Sequence, residues 1–391
     1  MKLEGIRVLD LSQFLPGPHF TMMMADHGAD VIRIESPAGE PTRHIGARQD
    51  GESVWFRNTH RGKRSVVLNL KDPDARDAFL RLAKGADVIV EAFRPGVVDR
   101  LGIGYQDVSA INPRIVYCSI AAFGQTGPYA KRPAHDVSIQ AESGLVSLNL
   151  SEDGAPAMPC LPAADMASSL MAMNGVLMAL LRRQQTGRGD YIDISMQDSL
   201  VSWLVNVVGP VFAEDRDLVP KDERSFGGAA FYNIYRCADG RYLTLGGSEV
   251  KFAENLLDAL GRPDLIELCR LPPGPGQLPV KSFLRETFGR EPLAHWENFL
   301  APLDVCWAPV RALHDALRSE QLRVREMRLE FEIDGDPNRR VTELGIPIKF
   351  RHEPGRVKPG IPRLGEHTDE VLRESGTALG GQPDHATRDR G

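Results

Sequence analysis

Five cysteines, at positions 118, 160, 237, 269 and 306, are all that 391 residues contain; they are odd in number, scattered, and form no CxxC pair. That spacing argues against a disulfide framework and a structural zinc, and no metal is expected. Long apolar runs are also scarce. No segment is expected to approach the roughly 20 apolar residues of a membrane span. The N-terminal MKLEGIRVLDLSQF is charged and alternating, where a secretory signal has a basic stretch and then an unbroken apolar one. A soluble, cytoplasmic protein without a membrane partner is the expectation. No long basic run interleaved with aromatics occurs, and 47 Lys and Arg against 53 Asp and Glu leave a net charge of −6. Nucleic acid is therefore not expected as a partner. Finally, LSQFLPGPHF stands where a first βα turn would carry GxGxxG, which disfavours a nicotinamide dinucleotide site.

What is present is a run of alternating strand and helix signals. IRVLDLS (6–12), a helix closing at Gly28 and DVIRIES (30–36) make one βαβ unit. SVVLNLK (65–71) leads into DPDARDAFLRLAKGA, which Asp72 and Pro73 start and Gly85 stops, and DVIVEAF (87–93) and RIVYCSIAAFG (114–124) add strands. Apolar strands in βα units predict an α/β fold with a doubly wound, Rossmann-like parallel sheet, whose ligands bind beyond the carboxyl ends of the strands. A long apolar helix from about Ala163 to Gln185, the turn TGRG and the strand DYIDIS belong to the same domain. The texture then changes: a charged Gly/Pro-rich segment over 205–225 reads as a linker between a large domain (1–204) and a smaller α+β domain (226–329). The smaller domain opens on a hairpin, FYNIYRCADGRYLTLGG, with Asp-Gly at its turn, and continues in helices over 250–262 and 280–302. Residues 330–391 carry short strands and a Pro/Gly-rich stretch, and GGQPDHATRDRG looks like a flexible tail.

Several residues carry candidate chemistry, each with a plainer reading. Asp165 stands where the apolar helix begins, as an N-cap or as a carboxylate held ionised by the helix terminus and able to act as a nucleophile. His135 and Asp136 adjoin; the histidine is either a structural residue or an acid/base group. Gly227 and Gly228 form an ordinary loop or expose backbone N–H groups to a developing oxyanion. Glu249 is a helix-start residue or a second acid/base group. Arg43, Arg61, Lys63, Arg64, Lys71, Arg94 and Arg100 cluster near strand ends and are candidate phosphate ligands. Leu15, Phe14, Met22 and Met166 suggest apolar walls, or simply core.

Taken in order, GIRVLDLSQFLPGPHFTMMMADHGADVIRIESP, RGKRSVVLNLK, VEAFRPGVVDRLGIGY, FGQTGPY, the Asp165 segment, RRQQTGRGDYIDISMQDS, GGAAFY and LGEHTDEVL resemble the class III CoA-transferase family over about residues 4–372. That family includes formyl-CoA and carnitine CoA-transferases and is related to α-methylacyl-CoA racemase. The resemblance implies a large domain built from both chain ends, a small domain between, and an interlocked dimer of ring-shaped subunits. It implies acyl-CoA and a carboxylic acid acceptor as substrates, coenzyme A as the carried group, and Asp165 as nucleophile through an aspartyl mixed anhydride and an aspartyl-CoA thioester. Gly227 and Gly228 match the family's glycine loop, here shorter than the four-glycine form, and Lys71, Phe93 and Arg100 match positions lining the CoA site. Leu15 replaces the glutamine of formyl-CoA transferase, which argues against formate and oxalate. His135 is what the racemase branch carries, paired there with the residue matching Asp165, and PGPH (16–19) and Glu249 also look racemase-like. The pattern Asp136, Gln140, Ala141, Ser143, Gly144 and the Asn58 segment resemble the transferases more closely, and transferase is favoured.

Overall fold

The computed structural model describes residues 1–151, 153–333 and 335–376; the expected tail at 380–391 lies outside them. Two compact units emerge. Among the described residues, one holds 1–143, 160–203 and 320–376, and the other holds 144–159 and 204–319. Both boundaries differ from the sequence expectation, which puts 144–159 in the large domain and 320–329 in the smaller one.

The first unit is built on six parallel strands: β1 (Arg7–Asp10), β2 (Asp30–Glu35), β3 (Arg64–Val67), β4 (Val88–Glu91), β5 (Val116–Ala121) and β6 (Asp190–Ser195). Their order across the sheet is β3-β2-β1-β4-β5-β6, so the order reverses between β1 and β4. Val8, Leu9, Val88, Ile89 and Val90 are wholly buried, as continuous apolar strands covered on both faces should be. Helix α1 (Pro16–Asp26) crosses from β1 to β2. Helix α2 (Pro73–Lys84) starts where Asp72 accepts the Asp74 N–H, has Pro73 in its first turn, and buries Ala75, Ala78, Phe79, Leu82 and Ala83 along one stripe. Trimming Phe79 to Ala in that stripe would cost about 3–5 kcal/mol.

Helix α3 (Asp136–Glu142) and helix α4 (Ala163–Thr186) follow β5. Helix α4 corrects one expectation: with a mean hydropathy of 1.4 over its best 18 residues it is long and apolar enough to cross a membrane. Gly, Ser and Asn among its Leu, Met and Ala residues make the run look less apolar by eye than its average. Ala164, Ala167, Ala172, Met173, Val176 and Leu180 are buried, as in the core helix of a globular unit.

The second unit carries a three-stranded sheet of β7 (Tyr232–Arg236), β8 (Tyr242–Gly246) and β9 (Trp307–Pro309), in the order β9-β8-β7. The β7–β8 hairpin turns at Asp239-Gly240, with Gly240 at φ +79°, as the dipeptide predicts. Helices α5 (Val250–Ala259), α6 (Leu278–Phe288) and α7 (Leu293–Leu300) pack Leu256, Leu284, Phe288 and Trp296 against it.

Candidate active site

The site grows from the carboxyl edge of the parallel sheet, where acidic side chains at strand ends tie down the loops that follow. At the end of β1, buried Asp10 accepts the Ser12 N–H (2.9 Å), the Thr21 hydroxyl (2.8 Å) and the Lys63 ammonium (2.9 Å). Arg33 adds a salt bridge at 3.2 Å. Burial alone would push the Asp10 carboxyl up, but Lys63, Arg33 and Ser12 together hold it well below the usual carboxylate range. The loop fixed in this way packs closely on the first turn of α1, where a Cβ on Gly17 would overlap the Ser12 side chain. Phe14 within it is left-handed, φ +62°, and its N–H donates to Glu40 at 2.9 Å. A phenylalanine in that conformation is strained and persists only where its surroundings impose it.

Two cavities lie along this edge. The larger, about 460 Å³, is lined by Gln13, Phe14, Phe93, Met196, His135 and Asp165 among others. The smaller, about 250 Å³, is lined by Leu68–Lys71 together with Gln13, Arg33, Phe93 and Val97. Gln13, Phe93 and Val97 border both. Their position beyond the strand ends, beside the β1/β4 reversal, is where open α/β sheets bind ligands.

Asp165 lies in the first turn of α4, but it is not the cap: the N-cap position is Pro162, which offers no side-chain acceptor. The cap comes from α3. Asp136 Oδ1 accepts the N–H groups of Ala164 (2.8 Å) and Asp165 (3.1 Å), and its Oδ2 accepts from Gln140 Nε2 at 2.5 Å. Gln140 in turn donates to the Leu161 carbonyl at 2.9 Å. The Asp165 side chain is thereby left to the cavity. Its carboxyl is pushed up to about 7, first by burial and then by the negative charge of Asp136.

The other residues singled out in the sequence divide clearly. His135 is exposed, sits edge-on to Phe14 with ring centroids 5.8 Å apart, and lines the Asp165 cavity. Phe14 lines it too, whereas Leu15 caps α1 outside the lining and Met22 is core. Met166 lines neither cavity. Four of the seven candidate phosphate ligands are spent within the fold. Lys63 holds Asp10, Arg61 holds Asp26 at 2.7 Å, Arg43 holds Glu35 at 2.6 Å, and Arg64 holds Asp30 and Glu374 at 2.7 Å each. Lys71, Arg94 and Arg100 are exposed and form no salt bridge among the described residues. Lys71 borders the smaller cavity and Arg94 the larger, while Arg100 borders neither.

Gly227, Gly228 and Glu249 belong to the second unit. Gly227 is at φ +89°, and a Cβ on Gly228 would strike the backbone of Asp222 and Glu223. Lys281 donates to the Gly228 carbonyl at 3.1 Å and Asn233 to that of Gly227 at 2.9 Å, so the loop's carbonyls are held. Both glycines are required by backbone geometry alone. Glu249 is exposed at the N-cap of α5 with no capping hydrogen bond from its side chain.

Residues 3–368 match the model of CoA-transferase family III. The chain belongs to this family. It is 32% identical over 380 residues to succinyl-CoA:glutarate CoA-transferase of Mus musculus, covering 95% of this chain and 86% of that protein. Alpha-methylacyl-CoA racemase of Homo sapiens is 31% identical over 386 residues, covering 96% and 94%. The crystal structure of a CAIB/BAIF family protein from Brucella suis superposes with a TM-score of 0.82 at 28% identity, over 95% of this chain and 99% of that one. The protein is thus an enzyme of the class III CoA-transferases, with the mixed α/β fold and large parallel sheet of CaiB/BaiF structures.

The sequence alone does not single out Gln13, which borders both cavities, or Glu91, whose carboxylate accepts the Phe93 N–H at 2.8 Å. Gln13 directly precedes the apolar Phe14–Leu15 pair and carries no local sign of lining a cavity. Glu91 ends an otherwise apolar strand, and nothing local to VIVE shows that its side chain turns back onto the loop.

Proposed function

We propose that this enzyme moves CoA between carboxylic acids with Asp165 as the nucleophile. The observation that carries the reading is the Asp165 carboxylate in the wall of a cavity, with its own helix terminus capped by Asp136. In the first step an Asp165 oxygen attacks the acyl thioester carbonyl; the C–O bond forms, the C–S bond breaks, and CoA leaves as thiolate. The thiolate then attacks the Asp165 carbonyl of the mixed anhydride, expelling the acyl group as a free carboxylate and leaving an aspartyl-CoA thioester. An acceptor carboxylate reverses both steps and regenerates the Asp165 anion. No proton is gained or lost overall, and thioester energy is conserved.

The surroundings suit this role. A carboxyl raised toward neutrality is a better nucleophile than a solvated one while still ionised in large part at cellular pH. Phe93 borders both cavities, and with Lys71 on the smaller and Asp165 on the larger, the adenosine and phosphates are assigned to the Lys71 side and the thioester to the Asp165 side. The sheet order β3-β2-β1-β4-β5-β6, counted from β1, is that of the doubly wound Rossmann-like fold. Helix α4 exposes Leu170, Leu177, Met178 and Leu181 along one side, which supports assembly as a homodimer, interlocked as the resemblance implies. Cytoplasmic residence belongs to the same reading.

The test is direct: incubation with an acyl-CoA and a second carboxylic acid yields the second acyl-CoA, and D165A abolishes the exchange. Exchange undiminished in D165A would overturn the reading. His135 and Asp165 on one cavity also favour, more weakly, α-proton racemisation of a 2-methylacyl-CoA. In deuterated water that activity would wash deuterium into the α-carbon and would be lost in H135A; absence of exchange in the wild type removes it.

A further inference from the structure

Four loops at the carboxyl edge are secured in one manner. Asp10 accepts the Ser12 N–H at 2.9 Å, Glu35 that of Glu40 at 3.0 Å, Glu91 that of Phe93 at 2.8 Å, and Asp193 that of Gln125 at 3.1 Å. Of the residues so held, Phe93 borders both cavities. Glu91 is 2% exposed, and no cation pairs with it among the described residues. Its remaining partner is the hydroxyl of Ser119, opposite it in register on β5, and Ser119 is in turn opposite Asp193 on β6. A buried carboxyl with only an N–H and a hydroxyl for partners is costly to keep, and an amide or apolar residue would fill the same space at lower cost. Burial and the neighbouring Asp99 and Asp193 push it up to about 7 against those two hydrogen bonds.

We propose that Glu91 is a positioning residue of the CoA site, holding the Phe93–Pro95 turn in the shape that admits the CoA part of the thioester. The inference rests on reading the two cavities as the CoA site. Glu91 reaches no cavity itself. It acts through the backbone of Phe93, which borders both chambers, with Arg94 and Pro95 following on the wall of the larger one.

Steady-state kinetics and calorimetric titration with CoA, on the full-length enzyme, test this with E91A, E91Q and F93A. In E91A the loss of a hydrogen bond to a charged acceptor should raise KM for acyl-CoA, and Kd for CoA, about tenfold. Values of kcat at saturation and KM for the acceptor acid should stay within about twofold. E91Q, whose amide oxygen still accepts the Phe93 N–H, should return KM to within about threefold of wild type. An unchanged KM in E91A, or an E91Q as impaired as E91A, overturns the proposal. Should E91A fail to fold, E91D carries the test: one methylene short of Phe93, it must show the same rise in KM, and an unchanged value overturns the proposal equally. F93A separates the two levels. If it leaves CoA affinity intact, the cavity reading fails; if it weakens CoA binding while E91A does not, only the role of Glu91 fails.

Discussion

The carboxylate of Asp136 accepts the backbone N–H of Asp165 at 3.1 Å while its charge opposes ionisation of the Asp165 side chain. One residue thereby caps the helix and tunes the nucleophile it carries. The acid capping α4 comes from 29 residues away in sequence, so the side chain of Asp165, in the first turn of α4, is released for chemistry.

This double role gives separable outcomes. D136N keeps an oxygen for the two N–H groups but removes the charge, so the Asp165 carboxyl falls while burial still holds it above its ordinary value. Activity in the wild type should rise with pH to a plateau above about 7, with roughly tenfold less at pH 6. In D136N the acid limb should move to lower pH. D136A also loses the cap and should cost about 1 kcal/mol in denaturant unfolding. A D136N limb that does not move would contradict the electrostatic half of the account.

Stability carries the same signature. Asp165 is raised in the folded state from its ordinary value of 3.8 to about 7, so the folded protein holds this proton more tightly than the unfolded chain. Below pH 3.8 both states are protonated and no cost arises; between 3.8 and 7 stability falls as pH rises, and above 7 the full cost remains. D165N removes it. Its Tm should exceed that of wild type at pH 8, by an increment worth a few kcal/mol at most, and the gain should vanish near pH 4. Equal gains at both values would place its origin outside the ionisation of Asp165.

Two lysines near strand ends should behave in opposite ways. Lys63 is fully buried on Asp10, and K63M takes one of the two cations from that carboxylate, leaving Arg33 and its neutral donors, at a cost of about 3 kcal/mol of stability. Lys71 is exposed beside the smaller cavity, and K71A should leave Tm unchanged while weakening CoA binding by about 1 kcal/mol, or roughly fivefold. Calorimetry and thermal denaturation of the two variants decide this.

Met178 and Leu181 are 66% and 65% exposed on α4, one helical side with Leu170 and Leu177. If a second copy covers them, analytical ultracentrifugation should find a dimer in the wild type and a monomer or aggregate in M178E/L181E. A wild-type monomer would remove the dimer from the account.

Strands β1 to β5 and helix α2 were legible in the sequence because their causes are local: unbroken Val and Ile runs, an Asp-Pro start, a Gly stop. The Asp239-Gly240 hairpin was legible for the same reason. What the sequence hid was set by tertiary distance. Arg43, Arg61, Lys63 and Arg64 looked available for phosphate, and only the folded chain brings Glu35, Asp26, Asp10 and Asp30 against them. Asp136 stood out in the sequence as a candidate site residue and as part of the transferase pattern, but its capping role did not show, since the amides it caps are supplied by another helix. The left-handed Phe14 left no trace in its residue type, and the carboxylate that takes its N–H, Glu40, is 26 residues away.

The most direct test is chemical trapping of the acyl-enzyme. The enzyme is incubated with an acyl-CoA, quenched with hydroxylamine, digested, and the peptides read by mass spectrometry. The account predicts a hydroxamate on Asp165 that depends on acyl-CoA and is absent in D165A. Continued CoA exchange with no hydroxamate on any carboxylate, or one placed on a residue other than Asp165, would contradict it.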